Sequence, residues 1–376
     1  MSAGTGPARL LLFTGKGGVG KTTLAAATAA RLAVGGHKVL VASADPAHSL
    51  GDAFGLPVTT EPAEVDTCLY AAHVDARGLA DRSWQAIRRE LRGLLPGVSD
   101  VDAAELTVLP GVDELLALTE VVRLAAEGPW EVVVVDCGPT AETLRLLALP
   151  EAVGGYLERL SLGRHASWLA GHVGELRDVL VDPARTSVRL VLTPERVVVA
   201  ETRRTLVALA LRGIQVDSLV ANRLVPPAKR WRGPAASWLR TRRAEQEAVL
   251  SELDASTTLP VRRVEHRAAE PVGVPALLGL ADELYGADDP LGTTGPYAAP
   301  LLSVRAVEGG YELAVALPIT GESTVDLARI GDELAITVDG VRRLVALPVL
   351  LRRHHVTDAV TGQTGLVLRF ESGGAQ

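Results

Sequence analysis

Gly15, Lys16, Gly17, Gly18, Val19, Gly20, Lys21 and Thr22, followed by Thr23, fit the pattern G-x-x-x-x-G-K-[ST]. Each residue type in that order suits a chain of phosphates. Glycines let backbone N–H groups close around phosphate oxygens, and a helix opening directly after the loop adds the positive end of its dipole. Lys21 reaches the outer phosphates, and Thr22 offers a hydroxyl to a divalent cation. Lys16 and Lys21 are two of only four lysines in a chain that otherwise writes its positive charge as arginine. A lysine is a compact, flexible point charge, which arginine's planar fork does not reproduce. Two acidic residues complete the set: Asp45 opens DPAHSLGDAF and Asp136 opens DCGPTAETLRLLALP. A single strand-end aspartate serves equally well as a turn residue or helix cap. Two of them beside a phosphate loop point to water activation and cation binding.

The elements that must position these residues are legible as short apolar runs. Residues 10 to 14 form a strand, and the Ala-rich stretch after the loop is a helix to about Val34. KVLVASAD (38–45), EVVVVDCGP (131–139), VRLVLTPE (188–195) and VDSLVANRL (216–224) repeat the design. Near-continuous β-branched runs separated by helical stretches indicate a mostly parallel sheet covered on both faces, a doubly wound α/β fold whose ligands bind at the carboxyl ends of the strands. Between these runs lie helical patterns: Trp84, Ile87, Leu91 and Leu94; Val112, Leu115, Leu116 and Val122; Val153, Tyr156, Leu157 and Leu160. They read as core-facing stripes or as a surface for a hydrophobic partner. GADDPLGTTGPYAAP (286–300) has a linker's composition, and beyond it short alternating strands with Gly, Asp and Pro turns suggest a small antiparallel β-sandwich. The expected organisation is a nucleotide-binding domain over 1–286 with a helical insertion around 75–128 and 151–182, a linker over 287–300 and a β-sandwich over 301–376.

With 376 residues, 47% hydrophobic and 22% charged, the chain can bury a sizeable core. A net charge of −7 argues against nucleic acid as the main partner. No run reaches the ~20 apolar residues of a membrane span, and the N-terminus lacks a signal-peptide pattern, so a cytoplasmic protein is expected. Two distant cysteines, Cys68 and Cys137, make no disulfide framework.

Lys16 at the second loop position resembles the deviant Walker A signature of dimeric P-loop ATPases, in which that side chain crosses to the nucleotide of the other subunit. More broadly, the chain from its phosphate loop to about Leu284 resembles the ArsA family of arsenical pump-driving and tail-anchored-protein-targeting ATPases. The residues carrying this are DPAHSL as switch I, PGVDELLALTEV (110–121), the DxxPTxxTLRLLxLP frame as switch II, and EPVGVPAL (270–277). The resemblance implies a Mg²⁺-dependent ATPase. In it Asp45 orients or deprotonates the attacking water and belongs to the cation-binding group with Thr22 and Asp136, the latter acting through the water shell. Asn222 and the Pro194–Glu195 turn would lie near adenine, and the absence of a guanine-reading N-K-x-D at ANRL favours ATP. It also implies a homodimer whose nucleotide state controls the binding and release of hydrophobic protein segments, with a membrane receptor as a further partner. The C-terminal strands resemble the α-crystallin-like domain appended to some bacterial and plastid members.

The family pattern is broken in places. The arsenite-pump members carry two ATPase halves in one chain, and this chain has one, so a homodimer must supply the second. The thiolate cluster that arsenite needs is absent. The zinc-binding CxxC that staples some targeting dimers is missing from LVPPAKRWRGPAASWLRTRR. Met1 is the single methionine, where client-binding helices are often methionine-rich, and Ala141-Glu142 replaces the usual Gly-His of switch II. Alternatives are an ATPase subunit of an arsenite or anion efflux system, a partition or cell-division ATPase, an iron-sulfur reductase sharing the deviant loop, and a binding module with vestigial catalysis. Lys229–Arg243 reads as a solvated helix face with snorkelling arginines.

Overall fold

The computed structural model describes residues 7–45, 49–74, 112–139, 174–228, 232–292, 301–319, 323–362 and 365–372. The helical patterns around Trp84 and Tyr156, most of switch II beyond Pro139, and Lys229 to Trp231 lie outside the described residues.

β1 (Arg9–Gly15), one residue longer at each end than expected from sequence, runs into the phosphate loop and on to α1 (Lys21–Val34), which ends where expected. The further strands of the first sheet are β2 (Val39–Ser43), β3 (Ala63–Asp66), β4 (Leu69–His73), β5 (Val132–Pro139), β6 (Thr186–Leu192), β7 (Val216–Leu224) and β8 (Val261–Glu265). They lie in the order β3-β4-β2-β5-β1-β6-β7-β8. Every neighbouring pair is parallel except β3 with β4. Further helices include α2 (Ser49–Phe54), α3 (Val112–Glu127), α4 (Arg196–Leu211), α5 (Pro234–Ser256) and α6 (Val274–Tyr285). The doubly wound sheet is therefore as the apolar runs suggested. Val132 to Val135 are all buried, as strands covered on both faces require.

Three strands, β3, β4 and β8, were not legible. β3 is largely exposed and β8 carries Arg262 and Arg263, so neither shows the continuous apolar run of a central strand. Both lie at the ends of the sheet.

One buried ion pair locks the distal part of this layer. Arg189 in the middle of β6 is 2% exposed, and its guanidinium donates to both carboxylate oxygens of Asp217 on β7 at 3.1 Å. It also donates to Tyr285 Oη at 2.6 Å and to the Pro290 carbonyl. Tyr285 Oη in turn lies 2.6 Å from Thr28 Oγ1 of α1. One side chain thus joins two strands, the last helix, the phosphate-loop helix and the start of the Pro/Gly-rich stretch.

Beyond it, β9 (Leu302–Val307), β10 (Gly310–Ala316), β14 (His354–Gly362) and β15 (Gly365–Ser372) form one antiparallel sheet in the order β14-β15-β10-β9. β11 (Val325–Ile330), β12 (Glu333–Val338) and β13 (Val341–Ala346) form another. Both sheets contribute to one core: Leu313, Val315, Leu366, Leu368 and Phe370 from the first, Leu334, Ile336 and Val338 from the second. Val207 and Leu211 of α4 are buried in that same cluster. Meanwhile Val198, Val199, Leu206 and Leu209 of the same helix pack into the core of the large sheet. α4 is shared by the two cores.

Candidate nucleotide and cation site

Gly15 ends β1 where the neighbouring strand comes very close: a Cβ there would sit 2.1 Å from the Val191 carbonyl oxygen, so only glycine fits. Gly20 has φ +97°, and a Cβ on it would meet Asn222 Nδ2 at 2.4 Å. That amide donates to the Val19 carbonyl at 2.8 Å, so β7 braces the loop from the side. α1 starts at Lys21 with no side-chain cap. Its leading N–H groups therefore face the loop cavity, the arrangement that binds an anion. Lys21 is buried, and its ammonium lies 3.4 Å from the Lys16 carbonyl oxygen.

Sheet register builds the acidic part. Asp136 on β5 pairs with Phe13 of β1 on one side and with Ser43 of β2 on the other, placing its carboxylate beside the loop. Thr22 Oγ1 donates to Asp136 Oδ2 at 2.7 Å, and Ser43 Oγ donates to the same oxygen at 3.3 Å. Asp45 follows two residues past Ser43, and its backbone N–H donates to Ser43 Oγ at 3.3 Å. Ser49, the first residue of α2, places its hydroxyl 2.9 Å from Thr22 Oγ1.

Burial pushes the Asp136 carboxyl up to about 6; the Thr22 hydrogen bond and the Lys21 charge oppose that rise, and the Asp45 charge adds to it. Its second oxygen, Oδ1, is buried with no hydrogen-bond partner among the described residues. A buried carboxylate oxygen left unpaired is costly unless a cation or its water shell completes it. The set of Thr22 hydroxyl and Asp136 carboxylate, all oxygen and beside a phosphate loop, fits Mg²⁺ held together with phosphates. The adjacent Cys137 thiol is pushed up to about 12, by burial first and by the Asp136 charge second, so it stays protonated.

Lys16 sits at the rim of the loop. Its side chain is 44% exposed, and its ammonium lies 3.6 Å from Glu201 of α4. The expected adenine residues divide between two hollows. Asn222 lines one of about 320 Å³ with Gly20, Thr23, Arg223 and the 265–271 stretch after β8. Glu195 lines another of about 270 Å³ with Lys16, Gly17 and Thr193. The structure thus brings Asn222 and Thr23 together and leaves the Pro194–Glu195 turn on the other side. Arg223 borders both hollows with φ 60°, a conformation that non-glycine residues rarely adopt.

Sequence reasoning missed Ser43, Ser49, Glu201, Arg223 and residues 265–269. EPVGVPAL was singled out without a place in the site, yet its Glu270 and Pro271 border the Asn222 hollow. The serines gave no signal of their own, since serine is common at strand and helix ends; only their position beside Asp45 could have drawn attention to them.

A phosphate loop between the first strand and first helix, with two carboxylates on neighbouring strand ends, defines a nucleotide-hydrolysing α/β protein. The family model described as anion-transporting ATPase matches residues 8–169 and 165–286, and the one described as the HSP20-like domain found in ArsA matches 308–370. Protein Rv2184c of Mycobacterium tuberculosis is 39% identical, with 96% of each chain covered. The arsenical pump-driving ATPase of Escherichia coli is 32% identical over 73% of this chain and 49% of its own length. That of Acidiphilium multivorum is 33% identical over 72% and 48%. The chain belongs to the ArsA family of ATPases. Among the described residues, no helix is long and apolar enough to cross a membrane.

Proposed function

We propose that this ATPase depends on Mg²⁺, works as a cytoplasmic homodimer, and couples its nucleotide state to the grip and release of hydrophobic protein segments, which it delivers to a membrane receptor. The convergence of Lys21, Thr22, Asp45 and Asp136 at one sheet edge, with the half-exposed Lys16 ammonium beside Glu201 instead, carries this reading. In this reading residues 1–286 bind the nucleotide, 287–300 link, and 301–376 form the α-crystallin-like unit.

The loop N–H groups and Lys21 hold the β- and γ-phosphates, and Asn222 with Thr23 borders the base. Thr22 and Asp136, joined by Asp45, would hold the cation, which supplies charge neutralisation on the phosphates. Asp45 orients the attacking water and accepts its proton as the γ-phosphoryl group leaves ADP. Lys16 cannot serve as the loop's own phosphate lysine while it faces Glu201, but it can reach across to a partner's triphosphate when the partners close. Partly exposed Val349 and Leu350 on the turn before β14 are consistent with apolar contact by the β unit.

A second reading, an ATPase that drives anion efflux, is favoured by the names of the E. coli and A. multivorum relatives. The protonated, buried Cys137 offers it no ready thiolate ligand.

Steady-state ATP hydrolysis by the wild type, Lys21→Ala and Asp45→Asn tests the core of the reading. Loss of about 100-fold or more in both variants, with nucleotide binding retained in Asp45→Asn, is the expected result. Unchanged turnover in Asp45→Asn removes that residue from the mechanism. Proteins that co-purify with Asp45→Asn then separate the two readings: hydrophobic client segments support the first, and a membrane transporter alone supports the second.

A further inference from the structure

Thr22 Oγ1 has one proton and two lone pairs. Its proton goes to Asp136 Oδ2 at 2.7 Å. The Ser49 hydroxyl, 2.9 Å away, must therefore be the donor in that contact and takes up one lone pair. A single lone pair is left, and the two hydrogen bonds fix its direction. A hydroxyl that could otherwise rotate is locked before any cation arrives.

The short helix that Ser49 opens is tied near its other end as well. Gly273 N–H donates to the Ala53 carbonyl at 2.9 Å, so α2 is held at its start by the loop and near its end by the stretch following the Asn222 hollow. On the other flank of residues 46–48, Ser43 links the Asp45 backbone to Asp136. The two serines therefore bracket the switch, each one hydrogen bond from a residue assigned to the cation.

We propose that Ser49 is a positioning residue: it sets the Thr22 hydroxyl for a divalent cation and, with Ser43, fixes both flanks of the Asp45 switch to the cation site. This rests on the reading of Thr22 and Asp136 as cation ligands. Partners one shell out from a metal commonly govern its affinity by about 10-fold or more, because they orient the ligand atoms.

The test is Mn²⁺ binding to the ADP complex of the full chain, followed by the loss of the free-ion electron paramagnetic resonance signal, beside ADP binding in EDTA. Ser49→Ala is expected to weaken Mn²⁺ binding by about 10-fold while leaving ADP binding in EDTA within twofold of wild type. Ser49→Thr, which keeps the hydroxyl, is expected to stay within twofold of wild type on both measurements. Mn²⁺ affinity unchanged in Ser49→Ala, or an equal loss of ADP binding in EDTA, overturns the proposal and leaves the cation reading standing. Wild-type ADP complex that takes up no Mn²⁺ overturns the cation reading itself, and the proposal with it.

Discussion

Asp136 carries a contradiction that its surroundings resolve only in part. Two hydroxyls satisfy one carboxylate oxygen, and the other is buried with no partner among the described residues. Burial makes ionising this group inside the fold unfavourable, which pushes its carboxyl up to about 6. The sign of the linkage follows. A folded value above the unfolded one means that this group's contribution to stability is fully present below about pH 4, falls as pH rises from about 4 to about 6, and is flat above. Asp136→Asn removes that cost while still accepting from Thr22 and Ser43. We expect the variant to be more stable than wild type by about 1–3 kcal/mol in EDTA at pH 7.5, and to lose the added stability that Mg²⁺ and ADP give the wild type. Denaturant melts in EDTA and in Mg²⁺ with ADP check both. The aspartates and loop lysines were legible because few other roles explain them side by side. The serines and Arg223 were not, because their task lies in the geometry of a single hydroxyl or a single φ angle.

At the level of elements, the sequence showed the central strands whose burial on both faces gives long continuous apolar runs, and missed the exposed edge strands β3, β8 and β14 together with the short interior strand β4. β14 is the plainest case: its residues are almost all exposed, so HHVTDAVTG has no core-facing alternation to read. Arg189 is the opposite failure. Inside VRLVLTPE it passed as one polar residue in an apolar run, but it is the centre of a buried network that ties β6, β7, α6 and α1 together. Removing Asp217 would strand a buried guanidinium. Asp217→Ala is expected to cost about 3–5 kcal/mol, measured by chemical denaturation, whereas Val304→Ala on an exposed face of β9 should stay within about 0.5 kcal/mol.

On the scale of the whole molecule, α4 ties chemistry to architecture. Its first turns carry Glu201 opposite Lys16, and its last turns put Val207 and Leu211 into the core between the two antiparallel sheets. The composition break at 286–300 suggested a separate second unit, but no sequence pattern could show that the unit borrows part of its core from a helix a hundred residues earlier. Asp at both Val207 and Leu211 should place charges in that core and loosen the unit. Faster proteolytic cutting between residues 287 and 300 than in wild type is the expected result, and unchanged cutting would show that the helix does not hold the unit in place.

In the proposed mechanism two copies of this chain close on each other with Lys16 crossing between them. Light scattering of the Asp45→Asn protein with Mg²⁺ and ATP measures it most directly, alongside the same protein carrying Lys16→Ala. A closing dimer predicts a particle of two chains for Asp45→Asn in a compact, closed form by small-angle scattering, and no closed form with Lys16→Ala. Particles of one chain under saturating Mg²⁺ and ATP, or equal closure with and without the Lys16 ammonium, would contradict it.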